Sequence, residues 1–151
     1  MALRAARGRA GERGQALIEA MFVIPFVLAL ILLILDFGIA LDRREVIVHA
    51  VREGARAAAN GDDIGQIQAA AVDQSEGNLT PDKVSVCYRD DNGNGYLGDV
   101  NDSVRVSIDH QYDMLTGGIS WLGVPTQLDM SPTAEAPLLN PAQGTPSPCP
   151  P

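Results

Sequence analysis

The sequence predicts an α+β chain: a single N-terminal transmembrane helix that extends into a long amphipathic helix, then a small extracytoplasmic domain with an antiparallel sheet. Three observations predict it. "AMFVIPFVLALILLIL", Ala20 to Leu35, carries no charge. "LDRREVIVHAVREGARAAAN" continues it without proline and with one internal glycine, in residues that favour helix. Further on, "KVSVCYR" and "SVRVSIDHQY" alternate apolar and polar residues, the period of half-buried strands.

The apolar run extends back to Ala16 and on to Leu41, interrupted only by Glu19 and Asp36. About 20 residues cross a hydrocarbon core, so residues 15–41 are long enough to span and too long for a signal-peptide core. Pro25 lies mid-span, where membrane helices tolerate it better than soluble ones. Arg4, Arg7, Arg9 and Arg13 precede the span. They make residues 1–14 a basic leader and place the N-terminus in the cytoplasm, although Arg43 and Arg44 follow the span.

The net charge of the 151 residues is −8, and it is unevenly spread. Beyond Arg56 the basic residues are Lys83, Arg89 and Arg105, against many aspartates. A phosphate-binding surface needs clustered Lys and Arg, so nucleic acid is excluded as a partner. The lipid bilayer is the partner that the apolar run implies.

Residues 42–76 read as extracytoplasmic helices. The membrane helix is expected to reach about Asn60 and to stop at Asn60-Gly61. Val46, Ala50, Gly54 and Ala58 recur at i, i+4 spacing. Such a stripe of small residues suits either a neighbouring helix or the chain's own head. A second helix is expected from Asp62 or Asp63 to about Ser75, with Asp as N-cap. Asp36 and His49 suggest no proton relay and read as interfacial and solvated.

Residues 77–136 read as a small antiparallel β region. "TQLDMSPTAEA" is expected to be a third strand, confined to an edge by Pro132. Met114, Leu115, Ile119, Trp121, Leu122 and Val124 form an apolar patch expected to be mostly core. The acidic loop 90–102 begins like an EF-hand calcium loop: Asp90, Asn92 and Asn94 alternate, with Gly95 at the sharp turn. Its twelfth position is Asn101, so the bidentate carboxylate is missing, and Asp99 or Asp102 would have to substitute. A plain solvated loop is the simpler reading, and no cofactor is expected other than this candidate calcium.

Cys87 and Cys149 could form one disulfide outside the cytoplasm, or remain two thiols. Residues 137–151, "PLLNPAQGTPSPCPP", are expected to be a disordered Pro-rich tail. No nucleophile stands beside a positioned base, and neither His49 nor His110 has a metal-ligand companion, so no catalytic activity is expected.

Glu19 poses a physical problem, because a carboxylate at membrane depth needs a cationic partner or a route to water. Gly14, then Gln15, then Glu19 ahead of a long apolar helix resembles the processing site of type IV prepilins and pseudopilins. That resemblance implies cleavage after Gly14 by a prepilin peptidase, leaving Glu19 as the fifth mature residue, beside a neighbour's N-terminal amine. The plainer reading puts Glu19 at the cytoplasmic interface, reaching water.

The wider segment, "GQALIE", Pro25, "DFG" at Asp36–Gly38 and "REGAR" at Arg52–Arg56, is similar to the TadE-like family of the tight-adherence (Tad) pilus systems. The resemblance covers roughly Arg13 to Gly61. It implies a non-enzymatic, pseudopilin-like component of Flp pilus assembly in the bacterial cytoplasmic membrane, working with other pilin-like or Tad assembly proteins through helix packing, with Glu19 and Pro25 among the packing residues. The alternative from the residues alone is a membrane-tethered extracytoplasmic module that binds calcium or another ligand.

Overall fold

The computed structural model describes residues 5–115, 117, 123 and 125–150, the side chains of residues 5–13 excepted. Ile119, Trp121, Leu122 and Val124 of the expected apolar patch lie outside the described residues; Met114 is half-buried and Leu115 exposed.

The first helix, α1, runs Ala5–Ala59, 55 residues with Pro25 inside. It stops where Asn60-Gly61 was expected to stop it. Gly61 has φ +81°. Its N–H donates to Ala58 O at 2.9 Å, and Asp62 N–H donates to Ala57 O at 3.3 Å. These are the paired reverse bonds of a left-handed helix end, which glycine adopts without a Cβ penalty. A second helix, α2, spans Ile64–Asp73. The Asp63 carboxylate accepts from Gly65 N at 3.2 Å, while Gln66 Oε1 accepts from Asp63 N at 3.1 Å. Two first-turn donors are thereby satisfied reciprocally.

Five strands follow: β1 Val84–Arg89, β2 Ser103–Ile108, β3 His110–Asp113, β4 Gln127–Met130 and β5 Thr133–Pro137. β1, β2 and β5 form one antiparallel sheet in that order, and β3 pairs β4 in another. Val84 pairs Ile108, and Arg89 pairs Ser103, so Val84, Tyr88, Val104, Val106 and Ile108 are buried on one face against α1 and α2.

The expected second and third strands are each divided. "SVRVSIDHQY" breaks at Asp109 into β2 and β3, and "TQLDMSPTAEA" breaks at Ser131-Pro132 into β4 and β5. The breaks lie opposite each other, with Ile108 N–H donating to Pro132 O at 3.1 Å. A proline cannot donate to the ladder, so the ribbon turns there and sends β3–β4 in a new direction.

The tail corrects its expectation. Residues 137–151 were expected to be disordered; residues 138–150 are instead a strap bound to the head. Leu138 is buried. Leu138 N–H donates to Asp102 O at 2.8 Å, Leu139 N–H to Ala59 O at 2.8 Å and Ala142 N–H to Gly98 O at 2.7 Å. Tyr88 N–H donates to Ser147 O at 2.8 Å, and Cys149 N–H returns a bond to Tyr88 O at 3.0 Å. Cys87 and Cys149 are joined as a disulfide. Proline suits such a strap because it brings few N–H groups to satisfy and little chain entropy to lose. The strap also covers the outer edge of β1, which would otherwise present unpaired backbone groups.

Candidate functional site

Three places on this framework carry the residues that the sequence singled out. The first is the stem. From Leu17 to Leu41 the large apolar side chains of α1 are mostly exposed, and Phe22 is 76% accessible. The most apolar 18-residue window has mean hydropathy 2.9 with none of it buried by the rest of the chain. Length and composition make this one candidate membrane span. Gly14, Gln15 and Glu19 are exposed on the same helix, and Glu19 makes no ion pair or hydrogen bond among the described residues. Pro25 is exposed within the span.

Higher on α1 the stripe changes environment. Val46 is half-buried, and Ala50, Gly54 and Ala58 are buried against the chain's own head. A Cβ on Gly54 would stand 3.3 Å from both Ala71 Cβ and Val106 Cγ1. The small residues thus let α2 and β2 approach α1 closely.

The second place is the joint between stem and head. Asp36 is fully buried, which corrects the expectation of a solvated interfacial carboxylate. The Tyr112 hydroxyl, carried down by the turned β3, donates to Asp36 Oδ1 at 2.9 Å. Burial and this donation to a carboxylate push the Tyr112 hydroxyl above its ordinary pKa. Beside it, His110 on β3 is held below its ordinary pKa by burial and then by the Arg43 cation. His49 is exposed, as expected. Sequence reasoning missed Tyr112 altogether: alternation places it on a strand but says nothing of a partner on α1.

The third place is loop 90–102. Its side chains close on the loop itself. Asp90 accepts from Gly93 N at 2.6 Å and Gly95 N at 2.8 Å. Asn92 and Asn94 oxygens accept from Asn94 N at 2.9 Å and Tyr96 N at 2.7 Å. Asn94 Nδ2 donates to Asp99 at 2.6 Å, and that donation is the main cause holding Asp99 below the usual carboxylate range. Asp102 is buried and accepts from Gly98 N at 2.9 Å and Asp91 N at 3.3 Å. Asp90, Asn92, Asn94 and Asp99 are brought together, while Asp102 faces inward as a backbone clamp. Among the described residues no group of His, Cys, Asp or Glu side chains forms a metal-holding cluster.

Comparison with known proteins bears on the stem. Residues 14–56 match the family model described as TadE-like protein. No curated protein matches the chain, and no solved structure does. The match begins at Gly14 and ends at Arg56, so it takes in Glu19, Pro25, Asp36 and Gly54 and leaves the β region outside. The matched segment, residues 14–56, is thus similar to the TadE-like family, and that similarity suggests a component associated with a Tad pilus.

Proposed function

We propose that this chain is a non-enzymatic, single-pass, pseudopilin-like component of Tad/Flp pilus assembly in a bacterial cytoplasmic membrane. The observation that carries the reading is the two-part α1 within the TadE-like match. Its lower part is apolar and uncovered by the rest of the chain, and its upper part anchors the head. The arginine-rich leader orients the N-terminus to the cytoplasm and the head outward. A disulfide-bonded head suits an oxidising, extracytoplasmic compartment. The lower stem lies in lipid and packs against stems of other pilin-like or Tad assembly proteins. Glu19 meets the amine that a prepilin peptidase frees at Gln15, a charge pair that a low-dielectric bundle favours over a lone carboxylate.

The test is intact mass and N-terminal sequencing of the membrane-extracted protein made with its candidate peptidase, followed by Glu19→Ala. A mature chain starting at Gln15, with pilus assembly lost in Glu19→Ala and insertion retained, is the expected result. Wild-type assembly in that variant removes the pairing role. A retained leader makes the chain a permanent anchor.

A second reading concerns the ring of Asp90, Asn92, Asn94 and Asp99, whose oxygens are gathered on one loop. Calcium at extracellular, millimolar levels is the ligand that such oxygens would take. A rise in melting temperature with calcium, absent in Asp90→Asn, supports it; no rise removes it.

A further inference from the structure

The head covers one face of upper α1 and leaves the other open. On the open side Arg44, Glu45, Val48, His49 and Arg52 line a shallow depression. Arg44, Val48 and Arg52 follow at i, i+4 and i+8, so they form one stripe. Among the described residues neither arginine makes an ion pair, whereas Arg56 is held by Glu53.

Height decides between lipid and protein as the occupant. At 1.5 Å per residue Arg44 stands about 5 Å beyond Leu41, within a headgroup layer of roughly 5–8 Å. Arg52 stands about 16 Å beyond it, clear of that layer. A lipid phosphate accounts for Arg44 and not for Arg52. An acidic protein surface accounts for both.

This chain carries such a surface. The tip of loop 90–102 exposes Asp91, which Arg89 also pairs at 2.7 Å, together with Tyr96 at 74% and Val100 at 42%, and Asp90 and Asp99 lie half-buried behind them. Tyrosine is favoured at interface centres and stacks on arginine, and Val100 offers an apolar match for Val48. The tip lies beyond the far end of α1: Asn101 N–H donates to Leu138 O at 3.4 Å, and the next residue, Leu139, donates to Ala59 O at 2.8 Å. Roughly 10 Å of helix separates Ala59 from Arg52 and roughly 22 Å separates it from Arg44, so one chain cannot lay its own tip along the whole of its own stripe. We propose that the loop tip of one copy docks on Arg44, Val48 and Arg52 of a second copy, shifted along the stem. The proposal deepens the assembly reading, on which it rests, by naming the partner and the head contact.

The test uses full-length chains with two different tags, co-expressed in membranes, one carrying a benzophenone photo-crosslinking side chain in place of Tyr96. An adduct of two chains, linked to the peptide containing Val48 or Arg52, is expected. Arg44→Glu with Arg52→Glu on the other copy should lower its yield about tenfold, the loss expected for two modest charge pairs. Asp91→Lys with Val100→Lys on the crosslinking copy should then restore it, a rescue that misfolding could not give. Adducts to lipid, to a different protein or to another part of the second copy overturn the proposal. Co-purification of both tags without the adduct also overturns it, while leaving stem assembly in place. Failure of the tags to co-purify overturns docking between copies, yet the assembly reading would still be met by another pilin-like partner.

Discussion

Helix α1 is continuous, but its two halves solve different problems. Between Leu17 and Leu35 it presents Leu, Ile, Val and Phe that nothing else in the chain covers. Between Ile47 and Ala59 it presents mostly Ala and Gly to the head, and these are buried. A lipid-facing helix needs apolar bulk and little specific shape, because lipid tails conform to it. A head-facing helix needs shape, because a close-packed protein interior does not conform. The difference lies in side-chain size and complementarity, since both halves present apolar side chains.

The sharpest way to break this comparison is to truncate one large side chain in each half. Ile47 is fully buried, so Ile47→Ala should cost the head about 2–5 kcal/mol, the usual range for a cavity in a packed core. Leu32, 55% exposed, should change head stability by less than about 0.5 kcal/mol as Leu32→Ala. Chemical denaturation of the full chain in detergent, followed by near-ultraviolet circular dichroism, measures both. Equal losses would mean that the lower stem also belongs to the head's cooperative unit.

Glycines offer the converse test by addition. Gly54 has neighbours within 3.3 Å of a would-be Cβ, whereas Gly38 has nothing within 4 Å. Gly54→Leu should destabilise the head by about 1–3 kcal/mol through overpacking. Gly38→Leu should leave it unchanged in the same denaturation experiment. A tolerant Gly54 would show that α2 and β2 can shift away from α1, and would turn the buried stripe into a loose contact.

What was legible in the sequence followed from period and local chemistry. The apolar run, the stop at Gly61, the Asp63 cap and the alternation in β1 and β2 are all decided by residues within a turn or two of one another. What was not legible was decided at long range. The fate of Asp36 depends on Tyr112, 76 residues away. The fate of the tail depends on Tyr88 and Cys87, which hold it by backbone and sulfur from about sixty residues upstream. Composition made residues 137–151 look solvated because it counts prolines and cannot see a vacant strand edge. Alternation ran through Asp109 unbroken, although Pro132 did carry a local warning of the bend. For loop 90–102 the ligand-like spacing was visible, but its oxygens' engagement by backbone N–H groups was not.

The joint at Asp36 marks the boundary between the two halves, and removing one atom from it probes how firmly the head is set on the stem. Tyr112→Phe deletes one donor to a buried carboxylate, which typically costs about 1–3 kcal/mol. Tyr96→Phe, on the exposed loop tip, is the matched control and should cost nothing measurable in the monomeric micelle state. Thermal unfolding of the full chain compares the two variants. The raised Tyr112 pKa also sets a direction: its contribution is complete below the ordinary value of 10.0 and is lost as pH rises through the folded-state value.

The smallest expected effect lies on the acid side of the same joint. His110 has its pKa lowered, by burial first and the Arg43 cation second, with Asp109 opposing. A depressed value means that the unfolded chain binds the proton more readily. The contribution is therefore complete above the ordinary value of 6.5 and is lost as pH falls through the folded-state value. Melting temperatures at pH 7.5 and 5.0 should fall further for the natural chain than for His110→Gln. Parallel falls would assign the acid sensitivity to carboxylates elsewhere in the head. The stretch from Ala20 to Leu35 cannot supply it, because it carries no titrating side chain. A pH response that His110→Gln removes would thus mark the place where the uncovered apolar half of α1 gives way to the half held by the head.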